Sequence, residues 1–109
     1  MKLSRVSVGL AVRAARDAAR LTLNDLAQMT GITAASLSRS ENGLRDIEFA
    51  EAVAIADSLK IEVETLRTFA ETFERAGVAK KAQKMSELEK DLNDLQQLAV
   101  EAAIEELNG

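Results

Sequence analysis

Apolar residues recur along the first half of the chain at intervals of three and four, the period of helices that each bury one face. Val8, Val12, Ala15 and Ala19 form the first such stripe and, with Ser7 as N-cap, predict a helix over about 8–19. Thr22-Leu23-Asn24-Asp25 comes next: the Thr22 hydroxyl can accept from the amide three residues on while Asp25 reaches back. This capping box predicts a second helix running to about Met29, with Leu26, Ala27 and Met29 inward and Gly31 ending it. Thr33 caps a third, short helix over about 34–40, whose inner residue is Leu37 and whose stop is Asn42-Gly43. A fourth helix over about 48–59 would bury Phe49, Ala52, Val53, Ile55, Ala56 and Leu59, and Ile61, Val63 and Leu66 begin a fifth.

After Arg67 the pattern changes. Phe69 and Phe73 precede Gly77, a hinge or kink, and a helical pattern then runs on toward the C-terminus. Met85, Leu88, Leu92, Leu95, Ala99 and Ala102 are separated alternately by three and four residues, a heptad register among Lys, Glu, Asp and Gln. A helix from about Ala70 to Leu107 would extend about 57 Å at roughly 1.5 Å per residue, and so overhang a small domain. Burial of its apolar seam against a second copy makes a homodimer; the alternatives are hairpin packing across Gly77 and capture of a toxin or another protein partner. The expected organisation is therefore residues 1–67 as one domain and 68–109 as a helical, coiled-coil dimerisation segment.

Composition sharpens this picture. With no proline, 3% aromatics and abundant Ala, Leu, Glu and Arg, the chain is expected to be all-α. Neither cysteine nor histidine is present, which excludes disulfides and thiol redox chemistry and removes the commonest catalytic base and transition-metal ligand. No nucleophile and base pair, phosphate loop or metal cluster stands out, so the expectation is a non-enzyme without metal or cofactor. Arg5, Arg13 and Arg16 break up the start as a secretory signal, and no run approaches the roughly 18 apolar residues of a membrane span, so a cytoplasmic protein with no membrane partner is expected.

The net charge of −4 hides an asymmetry. Residues 1–45 carry seven basic and three acidic side chains, net +4, and the remainder seven against fifteen, net −8. A basic front half on an acidic chain is compatible with a local phosphate-facing surface and equally with ordinary solvated helix faces.

The second and third helices are joined by Thr30-Gly31-Ile32-Thr33, in which Gly31 can take the left-handed backbone of a tight interhelical turn. Ala27, four residues before it, is small enough to let the helices approach there. Together with Gly9, Val12-Arg13, Arg16, Leu21-Thr22, Leu26-Ala27, Leu37-Ser38-Arg39, Glu41-Asn42-Gly43, Arg45 and Ile55-Ala56 through Leu59 and Ile61, this spacing resembles the Cro and phage-repressor, or xenobiotic-response-element, helix-turn-helix proteins. The likeness covers about 8–66.

The resemblance implies a five-helix DNA-binding domain of the lambda-repressor kind followed by the long C-terminal helix, and a nucleoid-associated regulator of transcription whose partner is double-stranded DNA. It implies that the third helix lies in the major groove with Ala34, Ala35, Ser38 and Arg39 toward base edges. Arg39 can donate two hydrogen bonds to a guanine, whereas Ala34 and Ala35 offer apolar contact only. Thr33, Ser36, Asn42 and Arg45 would hold phosphates. Arg16 and Glu41 match a structural ion pair, while Arg13 and Arg20 read as solvated charges. Two positions depart from the family pattern: Leu23 stands where a phosphate-contacting Gln is frequent, and no proline follows the third helix near Ile47. The implied activity is that of a dimeric repressor on a palindromic operator; an antitoxin that binds its operator and masks a toxin with the C-terminal helix is the alternative.

Overall fold

A computed structural model describes residues 2–77 and 101–102 of the chain. Residues 2–77 contain five helices and no strand: α1 Arg5–Ala18, α2 Leu23–Thr30, α3 Ala34–Glu41, α4 Phe49–Leu59 and α5 Val63–Arg75. By backbone packing the chain divides into two units, Met1–Ala79 and Lys80–Gly109, and all five helices lie in the first. No helix among the described residues is long and apolar enough to cross a membrane.

One core joins the five helices. Val12 and Ala15 of α1, Leu26 of α2, Leu37 of α3, Ile55, Ala56 and Leu59 of α4 and Leu66 of α5 are buried together. Leu21, Leu23, Ala27, Ile32, Ile47, Ile61 and Val63 close over them. Leu26, Leu37 and Ile55 are at most 1% exposed, and full burial of each such side chain contributes about 1.5–3 kcal/mol.

Several expectations need correction. The N-cap of α1 is Ser4, not Ser7: Ser4 is extended, its hydroxyl accepts from the Ser7 amide, and Ser7 lies inside the helix, fully buried. Its hydroxyl donates to Glu74 of α5, a partner 67 residues away that no local pattern announces. Ala19 is the exposed C-cap of α1 instead of part of its inner stripe. Met29 is exposed, because the inner side of α2 runs through Leu23, Leu26, Ala27 and Thr30. Phe49 is also exposed, at 78%. It is the first residue of α4, and since helical side chains lean toward the N-terminus it reaches past the end of the core.

α5 continues through position 67 to Arg75, with Ala70 buried against the bundle. It then stops, and Gly77 takes φ of +71°. Gly77 is thus the end of a helix, and an unbroken rod from Ala70 to Leu107 is ruled out at that point. Of the heptad positions, Met85, Leu88, Leu92, Leu95 and Ala99 lie outside the described residues, whereas Ala102 is described as helical and exposed.

Candidate nucleic-acid interface

The α2–turn–α3 unit is built from local hydrogen bonds and one tethered apolar side chain. Thr22 Oγ1 accepts from the Asp25 amide at 3.0 Å and Asp25 Oδ2 accepts from the Thr22 amide at 2.9 Å, closing the capping box of α2. The Thr22 amide, donating to the carboxylate, favours its ionised form and, with the Thr22 side chain beside it, holds the Asp25 pKa below its ordinary value. At the other end Gly31 adopts φ of +79° and its amide donates to the Ala27 carbonyl at 2.9 Å. Thr30 Oγ1 donates to the Leu26 carbonyl and accepts from the Ile32 amide, so the turn is satisfied by its own residues. Ile32 packs on the core and fixes where α3 begins.

Thr33 is extended and caps α3, its hydroxyl accepting from the Ser36 amide at 3.2 Å and donating to Ser36 Oγ at 3.0 Å. Within α3, Leu37 points into the core at 1% exposure, while Ala35 and Arg39 are exposed on the other side and Ala34, Ser36 and Ser38 are half-buried. Asn42, also exposed, continues that outer line and donates from Nδ2 to the Ser38 carbonyl at 2.9 Å. Ala35, Arg39 and Asn42 follow one another at intervals of four and three, so they share one face of a rod about 12 Å long. Among the described residues Arg39 has no hydrogen-bond or ion-pair partner; its guanidinium is presented to solvent.

The opposite end of α3 is clamped. Arg16 Nε donates to Glu41 Oε2 at 2.7 Å and Nη2 to Oε1 at 2.9 Å, a two-pronged pair whose side chains are 11% and 5% exposed. Nη1 of Arg16 adds a 2.7 Å bond to the Leu21 carbonyl and approaches Asp17 at 3.3 Å. The hydrogen bonds to Glu41 raise the Arg16 pKa, so this nearly buried cation stays charged and is matched by its partner. Gly9 of α1 lies directly against the same turn: a Cβ there would fall 2.2 Å from the Ser40 carbonyl oxygen and 2.9 Å from that of Glu41.

Arg45, expected at phosphate, is engaged within the molecule. Its Nη2 donates to Glu51 Oε2 at 2.7 Å and its Nη1 to the buried Ser40 hydroxyl at 3.1 Å. That pair holds the Glu51 carboxyl below its ordinary pKa and raises Arg45. Arg5 makes a second two-pronged pair, Nε to Asp46 Oδ1 at 2.6 Å and Nη2 to Oδ2 at 3.1 Å, fastening the start of α1 to the loop after α3. Arg13 and Arg20 are exposed, with Arg13 only 3.9 Å from Asp17 at its nearest. The Arg45–Glu51 and Arg5–Asp46 pairs escaped the sequence reading. Charge alone does not say which of several acids an arginine meets across a loop.

An exposed short helix at a tight turn, apolar inside and anchored at its far end, is the geometry of a helix-turn-helix. Residues 12–66, just over half of the chain, match the helix-turn-helix family model, and the chain belongs to this family, in its Cro and phage-repressor (xenobiotic-response-element) branch. Over 61 residues it is 41% identical to the HTH-type transcriptional repressor RghR of Bacillus subtilis (strain 168); the match takes in 55% of this chain and 45% of that protein, so it spans less than half of that relative. Among solved structures it is similar to the restriction-modification controller protein C.AhdI of Aeromonas hydrophila, with a TM-score of 0.55 and 27% identity over 57% of this chain and 94% of that one. The clp gene regulator ClgR of Corynebacterium glutamicum shares the fold, with a TM-score of 0.68 and 21% identity over 77% of this chain and 89% of that one.

Proposed function

We propose that this chain binds duplex DNA by laying α3 in the major groove and regulates transcription, as a repressor that occupies its site. The observation that carries this reading is the bare outer face of α3: Arg39 is exposed and without a partner among the described residues, while the helix beneath it is fixed by Leu37 and the Arg16–Glu41 pair. A guanidinium so placed can donate to O6 and N7 of one guanine, with Ser38 beside it and Ala34 and Ala35 against thymine methyls. Thr33, Ser36 and Asn42 supply hydroxyl and amide groups for backbone phosphates. Membership of the family, and similarity to a protein named as a transcriptional repressor, support the same reading.

The heptad spacing of Met85, Leu88, Leu92, Leu95, Ala99 and Ala102 supports a homodimer, in which residues after α5 join two copies on a palindromic operator. Two recognition helices about 34 Å apart meet successive turns of one groove face. The test is an electrophoretic shift on mixed-sequence duplex at low salt, followed by selection of bound fragments from the host genome. A clear shift and a selected two-fold symmetric sequence are expected; absence of any shift at low salt would remove the reading. The net charge of −8 after residue 45 favours one rival, an antitoxin whose acidic part masks a basic toxin. Co-purification of the product of an adjacent small gene would favour that rival.

A further inference from the structure

The geometry points to Arg45 as a positioning residue that locks the end of α3 to the start of α4, acting on DNA binding through Ser40 and Glu51 and not as a ligand of phosphate. This rests on the DNA-binding reading above. Ser40 is 1% exposed, and a hydroxyl that deep needs a partner; Arg45 Nη1 is the side-chain group that meets it. The same guanidinium nitrogen donates to the Asp46 carbonyl at 3.3 Å, and Nη2 donates to Glu51. Glu51 in turn uses its other oxygen to accept the Glu48 amide at 3.0 Å, the first turn of α4. One planar cation therefore ties together the last turn of α3, the loop and the N-terminus of α4. With side-chain exposures of 29% for Arg45 and 18% for Glu51, both side chains are largely covered and their charges are paired. Turning Arg45 toward a phosphate would break all three bonds, taking from the buried Ser40 hydroxyl its arginine partner and leaving the Glu51 carboxylate with the Glu48 amide alone.

The two roles separate cleanly by experiment. The full chain and its Arg45→Ala, Arg45→Lys and Glu51→Ala variants are titrated with a duplex selected by the unaltered chain and with mixed-sequence duplex, each across a salt series. Circular dichroism checks that every variant is folded. As a positioning residue, Arg45→Ala and Glu51→Ala each weaken binding to the selected duplex by about tenfold, the double variant is no worse than either, and binding to mixed-sequence duplex changes little. The slope of affinity against salt is unchanged, and Arg45→Lys fails to rescue because an ammonium has no fork to span Ser40 and Glu51. A phosphate ligand behaves oppositely. Arg45→Ala then lowers the salt slope by about one and weakens both duplexes alike, Arg45→Lys restores binding, and Glu51→Ala frees the cation and leaves binding unchanged or tighter. Those results would overturn the assignment while leaving DNA binding intact. If the unaltered chain binds neither duplex, the DNA-binding reading fails first and the positioning role falls with it.

Discussion

Gly9 and Gly31 are both glycines of the helix-turn-helix domain, yet they are needed for different reasons, and alanine at each separates those reasons. Gly31 has open space where a Cβ would stand and a positive φ, so Gly31→Ala meets only the left-handed backbone penalty, about 1–2 kcal/mol. Gly9→Ala places a methyl group against two backbone carbonyls that cannot swing aside, so α1 and α3 must separate. A loss of about 3 kcal/mol or more is expected, at the upper end of overpacking costs. Urea unfolding of the two variants measures the difference, and equal destabilisation would show that the helices do not touch at Gly9. Gly31 was legible in the sequence because its turn, its cap and its partners all lie within four residues. Gly9 was not: it forms part of a recognisable spacing, but the carbonyls that require it are those of Ser40 and Glu41, more than thirty positions later. Ser7 was misread for a related reason. A serine before an apolar stripe is a good cap in isolation, and only the distant Glu74 makes it a buried member of the helix.

At the scale of elements, the helices whose ends are set by neighbouring residues were read well. Thr22 and Thr33 cap α2 and α3 as their sequence context requires, and Gly31 closes α2. Faces were read less evenly, since periodicity tells which residues lie on a stripe and not how far the stripe extends beyond the core; Phe49 and Ala19 both sit at helix ends and stand in solvent. α3 carries the functional expectation of the whole chain with little chemistry of its own, because two of the four positions proposed to face bases are alanine. Discrimination should consequently concentrate on Arg39. Arg39→Ala is expected to cost about 1–3 kcal/mol on the selected duplex and to relax preference at one base pair, while folding stability stays unchanged. Competition titrations with duplexes altered one position at a time check this. A uniform loss on every sequence would assign Arg39 to phosphate instead.

For the molecule as a whole, the place where the domain can be cut follows from α5. A boundary at 67 looks natural in the sequence, where the apolar pattern shifts, but Ala70 is 2% exposed and Glu74 accepts hydrogen bonds from Ser4 and Ser7, so the helix beyond 67 belongs to the same core. A chain ended after Gly77 is expected to unfold cooperatively, and one ended after Arg67 to melt at a clearly lower temperature or not to fold, which thermal denaturation followed by circular dichroism distinguishes. The intact domain also has a predictable response to pH. Glu74, held by Ser7 and Ser4, Asp46, held by Arg5, Glu51, held by Arg45, and Asp25, held by Thr22, all have carboxyl pKa values below their ordinary ones. For a depressed pKa, the stabilisation is fully present above the unfolded value of about 4 and is lost as pH falls through the lower folded value. The arginines they pair with are raised and stay charged throughout the accessible range. Since the chain contains no histidine, cysteine or tyrosine, no such side chain titrates to offset this nearer neutrality. The melting temperature should therefore be nearly level from about pH 6 to 9 and drop steadily below about pH 4. Arg5→Ala and Arg45→Ala, which release Asp46 and Glu51 toward ordinary acidity, should each make that acid limb shallower while lowering the plateau. A transition centred near pH 6.5 in the unaltered chain would contradict the assignment of its pH dependence to these carboxylates.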